Sequence, residues 1–202
     1  MMDFSKIRTG LQKSTLNERG DHDLNSGVHP SSTLRPASVL IGLINRPAGL
    51  QVLFTQRTDN LEHHPGQICF PGGHIEPNDK NATAAALREA HEEIGLSEDR
   101  IDVLGRLDTY ITRTGFSITP IVALIQPPFE LCPDPVEVAD IFEVPLAFFM
   151  DSNNHQRHQQ VFQGQMRSFY ALPYHDYYIW GATAGMLINL YQNLIDGWTD
   201  RV

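Results

Sequence analysis

The sequence predicts an α+β fold, an α/β/α sandwich in which a mixed β-sheet lies between helices. Two runs of β-branched and apolar residues, at 37–44 and 51–57, have the composition of strands. Two later segments, at 82–94 and 180–195, have apolar residues at the spacing of amphipathic helices. Strands before, between and after two helices are typical of a sheet that is covered by helices.

The first two predicted strands are separated by residues 45–49, which read Asn-Arg-Pro-Ala-Gly. Proline and glycine between two apolar runs are typical of a hairpin loop. We therefore predict that 37–44 and 51–57 are antiparallel neighbours.

The segment 82–94 is the most clearly predicted helix. It follows a glycine-rich turn at 71–73 and a polar loop, and it stops before Gly95. One helical stripe contains Thr83, Leu87, Ala90 and Ile94. We expect the apolar residues of this stripe to face the core.

The second half of the chain is predicted to add three strands, near 101–107, 118–125 and 138–144. Pro120 has no backbone N–H, so it indicates a sheet edge or a bulge in the second of these strands. The final segment, 180–195, is expected to be a helix that packs against the domain.

The N-terminal residues 1–34 are polar and end in a turn-prone run at 29–32, so we predict an arm or short helical extension outside the core. Residues 35–202 would then form one domain, in agreement with a chain of 202 residues that is 41% hydrophobic. The start lacks the apolar core of a signal peptide, and the apolar run at 39–44 is too short to span a membrane. We expect a cytoplasmic protein with no membrane partner.

Charge and cysteine content argue against two further classes of protein. The formal net charge is -9, whereas proteins that bind nucleic-acid phosphates have a basic surface, so nucleic acid is not an expected partner. An anionic substrate would therefore need cations supplied at the site. Cys69 and Cys132 have neither CxxC nor CxxH spacing, so we expect neither a zinc site nor a disulfide framework.

The predicted helix contains an acidic row formed by Glu89, Glu92 and Glu93. Their spacing of three and four residues places the carboxylates on one helix face, where like charges repel unless cations neutralise them. Carboxylate oxygens are hard ligands that suit Mg2+ or Mn2+ better than zinc. The row therefore predicts a site for such an ion.

A solvated glutamate face on an ordinary helix is the alternative, and the glutamates alone would favour it. Their neighbours favour the metal site instead. Arg88 is placed to pair with a carboxylate and fix its rotamer, and Gly95 suits the left-handed end of the helix. Gly72 and Gly73 allow a tight backbone turn beside the same site.

These residues resemble the Nudix box of the Nudix hydrolases, G-x5-E-x7-R-E-U-x-E-E-x-G-U, in which U is apolar. The second half of the box matches residues 88–96 without a gap. In the first half, five residues separate Gly73 from Asp79, where the box has glutamate, and eight rather than seven residues separate Asp79 from Arg88.

The resemblance implies a role for each residue of the acidic row. Glu89, Glu92 and Glu93 are expected to be catalytic and to coordinate Mg2+ or Mn2+, and Arg88 is expected to orient them. The base that deprotonates the attacking water stays open among Glu89, Glu93 and a loop glutamate such as Glu137. For Glu137 the alternative is a solvated loop carboxylate.

The segment upstream of the box is similar to the motif of the coenzyme A diphosphatase subfamily, L-L-T-x-R-[S/A]-x3-R-x3-G-x3-F-P-G-G. Arg57, Gly66 and the run 70–73 match in register. Thr58 stands where the motif has serine or alanine, and Glu62 where it has arginine, so Glu62 is not part of the predicted site. The additional residue before the Nudix helix is similar to the spacing of this subfamily.

The subfamily resemblance implies a small nucleotide substrate, coenzyme A or an acyl derivative. The products would be adenosine 3',5'-bisphosphate and the 4'-phosphopantetheine portion. Arg57 is expected to bind a substrate phosphate, with an ion pair to a surface acid as the alternative, and Gly72 and Gly73 belong to the same substrate-binding site. The implied fold is the Nudix α/β/α sandwich, and a homodimer to which the final helix contributes stays open.

Two other functions stay open. The residues at 58 and 62 leave room for a Nudix hydrolase of another nucleoside diphosphate derivative, such as a nucleotide sugar, a dinucleotide or a 5'-modified RNA end. A Nudix-like module that senses a nucleotide without cleaving it is the non-enzymatic alternative, and the complete glutamate triad argues against it.

Four aromatic residues near the final helix have two interpretations. Tyr174, Tyr177, Tyr178 and Trp180 are suited to stacking on an adenine, but core packing is the simpler expectation.

Overall fold

The computed structural model describes residues 4–12, 17–25, 33–61, 63–162 and 164–198. Within these residues the helices are α1 (Phe4–Gln12), α2 (Ala82–Ile94), α3 (Leu146–Met150) and α4 (Gly181–Trp198). A large mixed sheet contains β1 (Glu18–Gly20), β2 (Arg35–Arg46), β3 (Gly49–Arg57), β4 (Ile68–Cys69), β5 (Gly72–His74), β6 (Ile101–Arg106), β7 (Thr109–Ile111), β8 (Phe116–Ile125) and β9 (Val138–Pro145). A smaller antiparallel sheet contains β10 (Gln156–Phe162), β11 (Gln165–Tyr174) and β12 (Tyr177–Trp180).

The predicted hairpin is confirmed as β2 and β3. The two strands are antiparallel, and their pairing closes with Arg46 opposite Gly49. The connection is therefore shorter than the predicted loop. Gly49 has a φ of 119°, a conformation that glycine adopts without the steric cost that a side chain would add.

The predicted strand near 118–125 is confirmed as β8, but Pro120 does not lie at a sheet edge. β8 pairs in parallel with β2 on one side, and on the other side it pairs first with β7 and then with β6. Pro120 lies between the β7 and β6 partners, and its carbonyl accepts a hydrogen bond from the N–H of Leu107. The missing N–H of Pro120 lies where the partner of β8 changes from β7 to β6, and this position accommodates a proline in an internal strand.

Helices cover both faces of the large sheet, and the predicted sandwich is confirmed. On one face α2 packs on a core that includes Leu40, Leu53 and Ile94. On the other face α1, α3 and α4 pack around a second core that includes Phe54 and Phe149. Both cores contain side chains with no exposed surface, so most of the apolar burial that stabilises the fold lies in these two layers.

The two predicted helices are confirmed. The bounds of α2 are the predicted ones, and α4 begins one residue later than predicted because Trp180 ends β12. Within the described residues no helix is both long enough and apolar enough to span a membrane.

Helix α1, part of the predicted N-terminal arm, packs on the core, although the sequence suggested that the arm lies outside it. In α1 the side chains of Ile7 and Leu11 are 1% and 5% exposed, and they belong to the core that contains α4. β1 pairs in parallel with β7. The spacing of Ile7 and Leu11 is helical, but two apolar residues in a polar segment are too weak a signal to predict burial. The turn-prone run at 29–32 lies outside the described residues, and the division into 1–34 and 35–202 stays a prediction.

The small sheet was not predicted. Most residues of β10 are exposed and polar, so the strand has no alternation of apolar and polar residues. β10 is held by its main-chain pairing with β11, from Gln156 opposite Ala171 to Phe162 opposite Gln165. Backbone pairing of this kind leaves no periodic pattern in the sequence.

We predict that α1 contributes to the stability of the whole domain. Ile7→Ala removes a buried side chain and leaves a cavity, so the free energy of unfolding should fall by about 3 kcal/mol. Gln12→Ala, on the exposed side of the same helix, is the control and should change stability by less than about 0.5 kcal/mol. Urea denaturation would measure both, and an unchanged midpoint for Ile7→Ala would contradict the packing.

Candidate active site

The two ends of α2 are fixed, which places the acidic row. At the start, the side chain of Asn81 accepts a hydrogen bond from the N–H of Ala84 at 2.9 Å. At the end, Gly95 adopts a left-handed conformation with a φ of 67°, and its N–H donates to the carbonyl of His91 at 2.9 Å. The helix therefore has little freedom to rotate or slide its glutamates.

Arg88 bridges two residues of the acidic row. Its Nη1 donates to Glu89 Oε1 at 3.0 Å and to Glu92 Oε2 at 2.9 Å. Its Nη2 donates to the carbonyl oxygen of His74 at 3.0 Å, which ties the helix to the glycine-rich turn. The sequence predicted that Arg88 pairs with one carboxylate, whereas it pairs with both Glu89 and Glu92 and holds both side chains in place.

Asp79 binds the other edge of the Arg88 guanidinium. Arg88 Nε donates to Asp79 Oδ1 at 3.2 Å and Nη2 donates to Oδ2 at 3.0 Å, while the N–H of Glu76 also donates to Oδ2. The hydrogen bond from Arg88, followed by that from Glu76, lowers the pKa of Asp79. The bond to Asp79, followed by the charges of Glu89 and Glu92, raises the pKa of Arg88.

Asp79 was not among the predicted site residues. It stands at the acidic position of the box, and this position was the signal that could have identified it. The loop with one additional residue still brings a carboxylate to Arg88.

Glu93 is a buried carboxylate, with 5% of the residue exposed. The N–H of Gly72 donates to its Oε2 at 3.2 Å. Removal from water raises the pKa of Glu93 to about 8. The hydrogen bond from Gly72 lowers this pKa, whereas the charges of Glu137 and Glu89 raise it further. A buried group of this kind is stabilised in its charged form by a nearby cation.

Glu137 reaches the acidic row from a loop that is fastened to the end of α2. The N–H of Asp134 donates to the carbonyl oxygen of Glu93 at 2.8 Å. Burial raises the pKa of Glu89, and the charge of Glu137 contributes to this increase as it does for Glu93. The structure therefore brings a fourth carboxylate, from a distant part of the chain, to the three on the helix.

Thr58 fixes this loop to the end of β3. Its N–H donates to the carbonyl oxygen of Glu137 at 3.0 Å, and its hydroxyl donates to that of Val136 at 2.7 Å. The residue is only 9% exposed. The threonine at the motif's serine or alanine position thus has a structural partner for its hydroxyl and positions Glu137.

Gly72 and Gly73 form β5 against the start of β2, with Gly72 opposite Val39 and Gly73 opposite Ser38. A Cβ on Gly73 would lie 2.5 Å from Glu89 Oε1, and a Cβ on Gly72 would lie 2.4 Å from the carbonyl oxygen of Ser38. Both glycines are required because the main chain approaches a carboxylate on one side and a neighbouring strand on the other. The tight turn predicted at these two glycines is a short strand instead, and their contact with substrate stays a prediction.

Arg57 lies at the end of β3, close enough to Glu93 to lower its pKa in opposition to burial. Its Nε is buried and, among the described residues, has no hydrogen-bond partner. The surface ion pair that was the alternative role for Arg57 is not present within this part of the chain. A donor without a partner beside the acidic row fits a ligand anion.

The carboxylates fit a hard divalent ion by chemistry but do not form a ready cage. Among the residues that the structure describes, no three His, Cys, Asp or Glu side chains are arranged to hold a metal ion. Arg88 engages Glu89 and Glu92, whereas the N–H of Gly72 engages Glu93. Neighbouring carboxylates repel each other, so they are held by these donors of the protein, one of which Glu89 and Glu92 share.

The donor set nevertheless suits Mg2+ or Mn2+. All the candidate ligands are carboxylate oxygens, Glu93 is buried, and Glu89 lies against the backbone of Gly73. The role of the three glutamates as metal ligands stays a prediction. Glu62 lies outside the described residues.

Comparison with known proteins places these residues in a family context. A family model described as the NUDIX domain matches residues 34–163. A Photorhabdus laumondii protein named uncharacterized Nudix hydrolase NudL is 38% identical over 164 residues, which are 81% of this chain and 87% of the relative. The Escherichia coli K12 protein of the same name is 34% identical over 188 residues, which are 93% of this chain and 88% of the relative.

A solved structure of a MutT/nudix family protein from Enterococcus faecalis is similar with a TM-score of 0.49 and 17% identity. The similarity covers 84% of this chain and 64% of that chain.

We predict that the Asp79–Arg88 contact sets the affinity of the acidic row for a divalent ion. Asp79→Asn removes the charge that binds the guanidinium, so Arg88 is free to shift further onto the glutamates. The affinity for Mn2+, measured by titration calorimetry, should fall by about 10-fold, as is typical for a residue that orients metal ligands.

The matched control is Asp102→Asn, which breaks a similar two-oxygen contact with Arg8 outside the acidic row. This variant should bind Mn2+ like the parent. Equal Mn2+ affinity for Asp79→Asn and the parent would show that Arg88 does not need Asp79 to position the glutamates.

Proposed function

The chain belongs to the NUDIX domain family, and from this premise we propose that it hydrolyses the diphosphate linkage of coenzyme A or an acyl-coenzyme A. It is a Nudix hydrolase, acting on a pyrophosphate bond of a nucleoside diphosphate derivative. The proposed reaction adds water across one P–O bond and releases adenosine 3',5'-bisphosphate and (acyl-)4'-phosphopantetheine. Two residues of the upstream motif carry the proposal: Gly72 donates its N–H to Glu93, and Arg57 is close enough for its charge to lower the pKa of that carboxyl group.

The site residues support a cation-assisted reaction. Nudix hydrolases generally use divalent metal ions such as Mg2+ or Mn2+. Bound to Glu89, Glu92 and Glu93, such an ion would neutralise phosphate oxygens and lower the pKa of water. Burial of Glu93 excludes solvent from one side of the site and strengthens the electrostatic interactions there.

The two arginines would have different tasks. Arg88 is engaged by Asp79 and by two glutamates, so it positions the acidic row. Arg57 has a buried donor without a partner in the described part of the chain, so it would hold a phosphate of the substrate. Binding of the phosphate by a planar guanidinium would orient the diphosphate for attack from the acidic side.

Glu137 is our candidate for the general base. Glu89 and Glu93 already accept hydrogen bonds from Arg88 and Gly72, whereas the Glu137 carboxylate accepts none within the described residues. It is close enough to both to influence their pKa values. A carboxylate with no other partner beside the acidic row is placed to take a proton from the attacking water.

Thr58, which replaces the serine or alanine of the coenzyme A diphosphatase motif, does not favour another substrate. The Thr58 hydroxyl is bonded to the main chain of Val136, so it has a structural function that is compatible with any substrate in the family. The choice among nucleoside diphosphate derivatives therefore has to be made by product analysis.

We predict that the pure protein with Mg2+ or Mn2+ converts coenzyme A into adenosine 3',5'-bisphosphate and 4'-phosphopantetheine, identified by mass. The panel should include acetyl-coenzyme A, a nucleotide sugar, a dinucleotide and a 5'-modified RNA end. Turnover of another member with none of coenzyme A or its acetyl derivative would remove the proposed substrate.

The same assay distinguishes an enzyme from a nucleotide-sensing module. Glu92→Gln should lower kcat by at least about 100-fold, since it removes a charged ligand that a cation would need. Glu98→Gln, an exposed glutamate just after α2, is the matched control and should be as active as the parent. Equal activity of Glu92→Gln and the parent would show that the acidic row has no catalytic function.

We predict that Glu137→Gln lowers kcat by about 100-fold or more, which is the usual contribution of a general base. Its Mn2+ affinity should change little, because Glu137 is not proposed as a ligand. Glu130→Gln, an exposed glutamate earlier in the same loop, should leave kcat unchanged. A Glu137→Gln enzyme with normal kcat would move the base to Glu89 or Glu93.

A further inference from the structure

A cavity of about 570 Å3 lies between the β3–β4 connection and the β11–β12 hairpin. Its lining includes Gln56, Gly66, Gln67 and Ile68 on the first side and Tyr178 and Trp180 on the second. The volume is within the range of small-molecule binding sites. None of its lining residues belongs to the acidic row.

Two aromatic side chains of this cavity are not core residues. Tyr178 is 44% exposed and Trp180 is 38% exposed. By contrast, Tyr174 and Tyr177 pack against the core, and the ring of Tyr177 stacks on that of Phe142 with centroids 3.5 Å apart. Core packing, the simpler expectation for all four, therefore holds for Tyr174 and Tyr177 only. Exposed aromatic side chains on the wall of a cavity are typical of a binding surface.

The opposite wall offers amide groups. Gln56 Nε2 donates to the carbonyl oxygen of Gly66 at 3.3 Å, which fixes the orientation of this side chain. The side chain of Gln67 belongs to the same lining. A glutamine amide pairs in its plane with N6 and N7 of adenine, because it presents one acceptor and one donor at the matching separation. Aromatic faces and in-plane amides together are the requirements for binding a purine base.

The cavity is connected through the main chain to the acidic row. Gln56 precedes Arg57, and the N–H of Arg57 donates to the carbonyl oxygen of Gln67 at 2.9 Å. From Ile68 the chain runs four residues to Gly72, whose N–H binds Glu93. At about 3.3 Å per extended residue this stretch of chain spans at most roughly 13 Å, so the cavity and the acidic row are near neighbours.

Gln56 lines the cavity, whereas the charge of its neighbour Arg57 acts on Glu93, so the two side chains serve different sides of β3. β3 ends at Arg57. A ligand that occupies both the cavity and the acidic row would therefore pass around the end of this strand. Its phosphates would meet Arg57 there, and its base would enter the cavity.

We propose that this cavity binds the adenine base of the substrate, which stacks on Tyr178 and Trp180 and pairs with Gln56 or Gln67. The inference rests on the proposed diphosphate hydrolysis, since it places the nucleoside end of the same substrate. It assigns base recognition to the β11–β12 hairpin, whereas the catalytic groups come from α2 and the loop before β9.

The test is titration calorimetry with ADP, UDP and inorganic pyrophosphate in the presence of Mg2+. The parent should bind ADP more tightly than UDP, which lacks the purine edge. Tyr178→Ser and Trp180→Leu should each weaken ADP binding by about 10-fold, the usual effect of losing one stacking partner, and leave pyrophosphate binding within twofold. Val161→Ser is the matched control, because Val161 is 60% exposed on the small sheet and does not line the cavity.

Three results would overturn the assignment: unchanged ADP affinity in both cavity variants, an equal loss of pyrophosphate affinity, or UDP binding as tight as ADP binding. Thermal melting checks that each variant is folded. If Trp180→Leu is not, Tyr178→Ser decides alone, because its side chain is the more exposed of the two.

Turnover of coenzyme A by the parent, measured on the same samples, separates the two proposals. Turnover with ADP binding that is insensitive to the cavity variants removes the base site and leaves the proposed function. Cavity-dependent ADP binding without turnover of coenzyme A removes the proposed function and leaves the base site.

Discussion

The site depends on how the crowded carboxylates of α2 are neutralised. Arg88 lies at the centre of this arrangement, because a single guanidinium joins Asp79, Glu89 and Glu92. Without it, like charges one helical turn apart would oppose the helix on which they stand. The ion pairs let the protein keep the acidic side chains together and already rotated toward the glycine-rich turn. The helix caps fix α2, Gly73 lies against Glu89, and the Glu137 loop is bonded to the end of α2. All three features therefore help to hold the acidic side chains in this arrangement.

The groups of the site come from separate parts of the chain, and main-chain hydrogen bonds hold them in register. The loop before β9 is bonded to the end of α2 through Asp134 and Cys132. Its other end is bonded to Thr58 at the end of β3. Glu137 and Arg57 are thereby fixed relative to Glu93 without any direct contact between their side chains. A site built in this way is held by the backbone, which leaves its side chains available for ligands.

The sequence predicted the parts of the molecule that have local patterns. The bounds of α2, the β2–β3 hairpin and the grouping of Glu89, Glu92 and Glu93 all follow from patterns within about twenty residues. Burial of α1 depends on partners about a hundred residues or more away in the chain. The small sheet depends on backbone pairing. Neither leaves a periodic signal in the sequence. The same limit applies to Thr58, whose hydrogen-bond partners are identifiable only in three dimensions. The arrangement of the glutamate oxygens was also beyond prediction, because competing donors from Arg88 and Gly72 decide it.

The contact between α1 and α4 has a consequence for biosynthesis. A Cβ on Gly10 would lie only 2.7 Å from the carbonyl oxygen of Asn193, so the two helices meet closely, and Ile7 and Leu11 share their core with α4. During translation the ribosome makes α1 well before α4, so the part of the α1 face that packs on α4 has no partner until α4 has emerged. The nascent protein therefore carries this part of α1 uncovered until α4 is made, at the stage when chaperones bind exposed apolar segments.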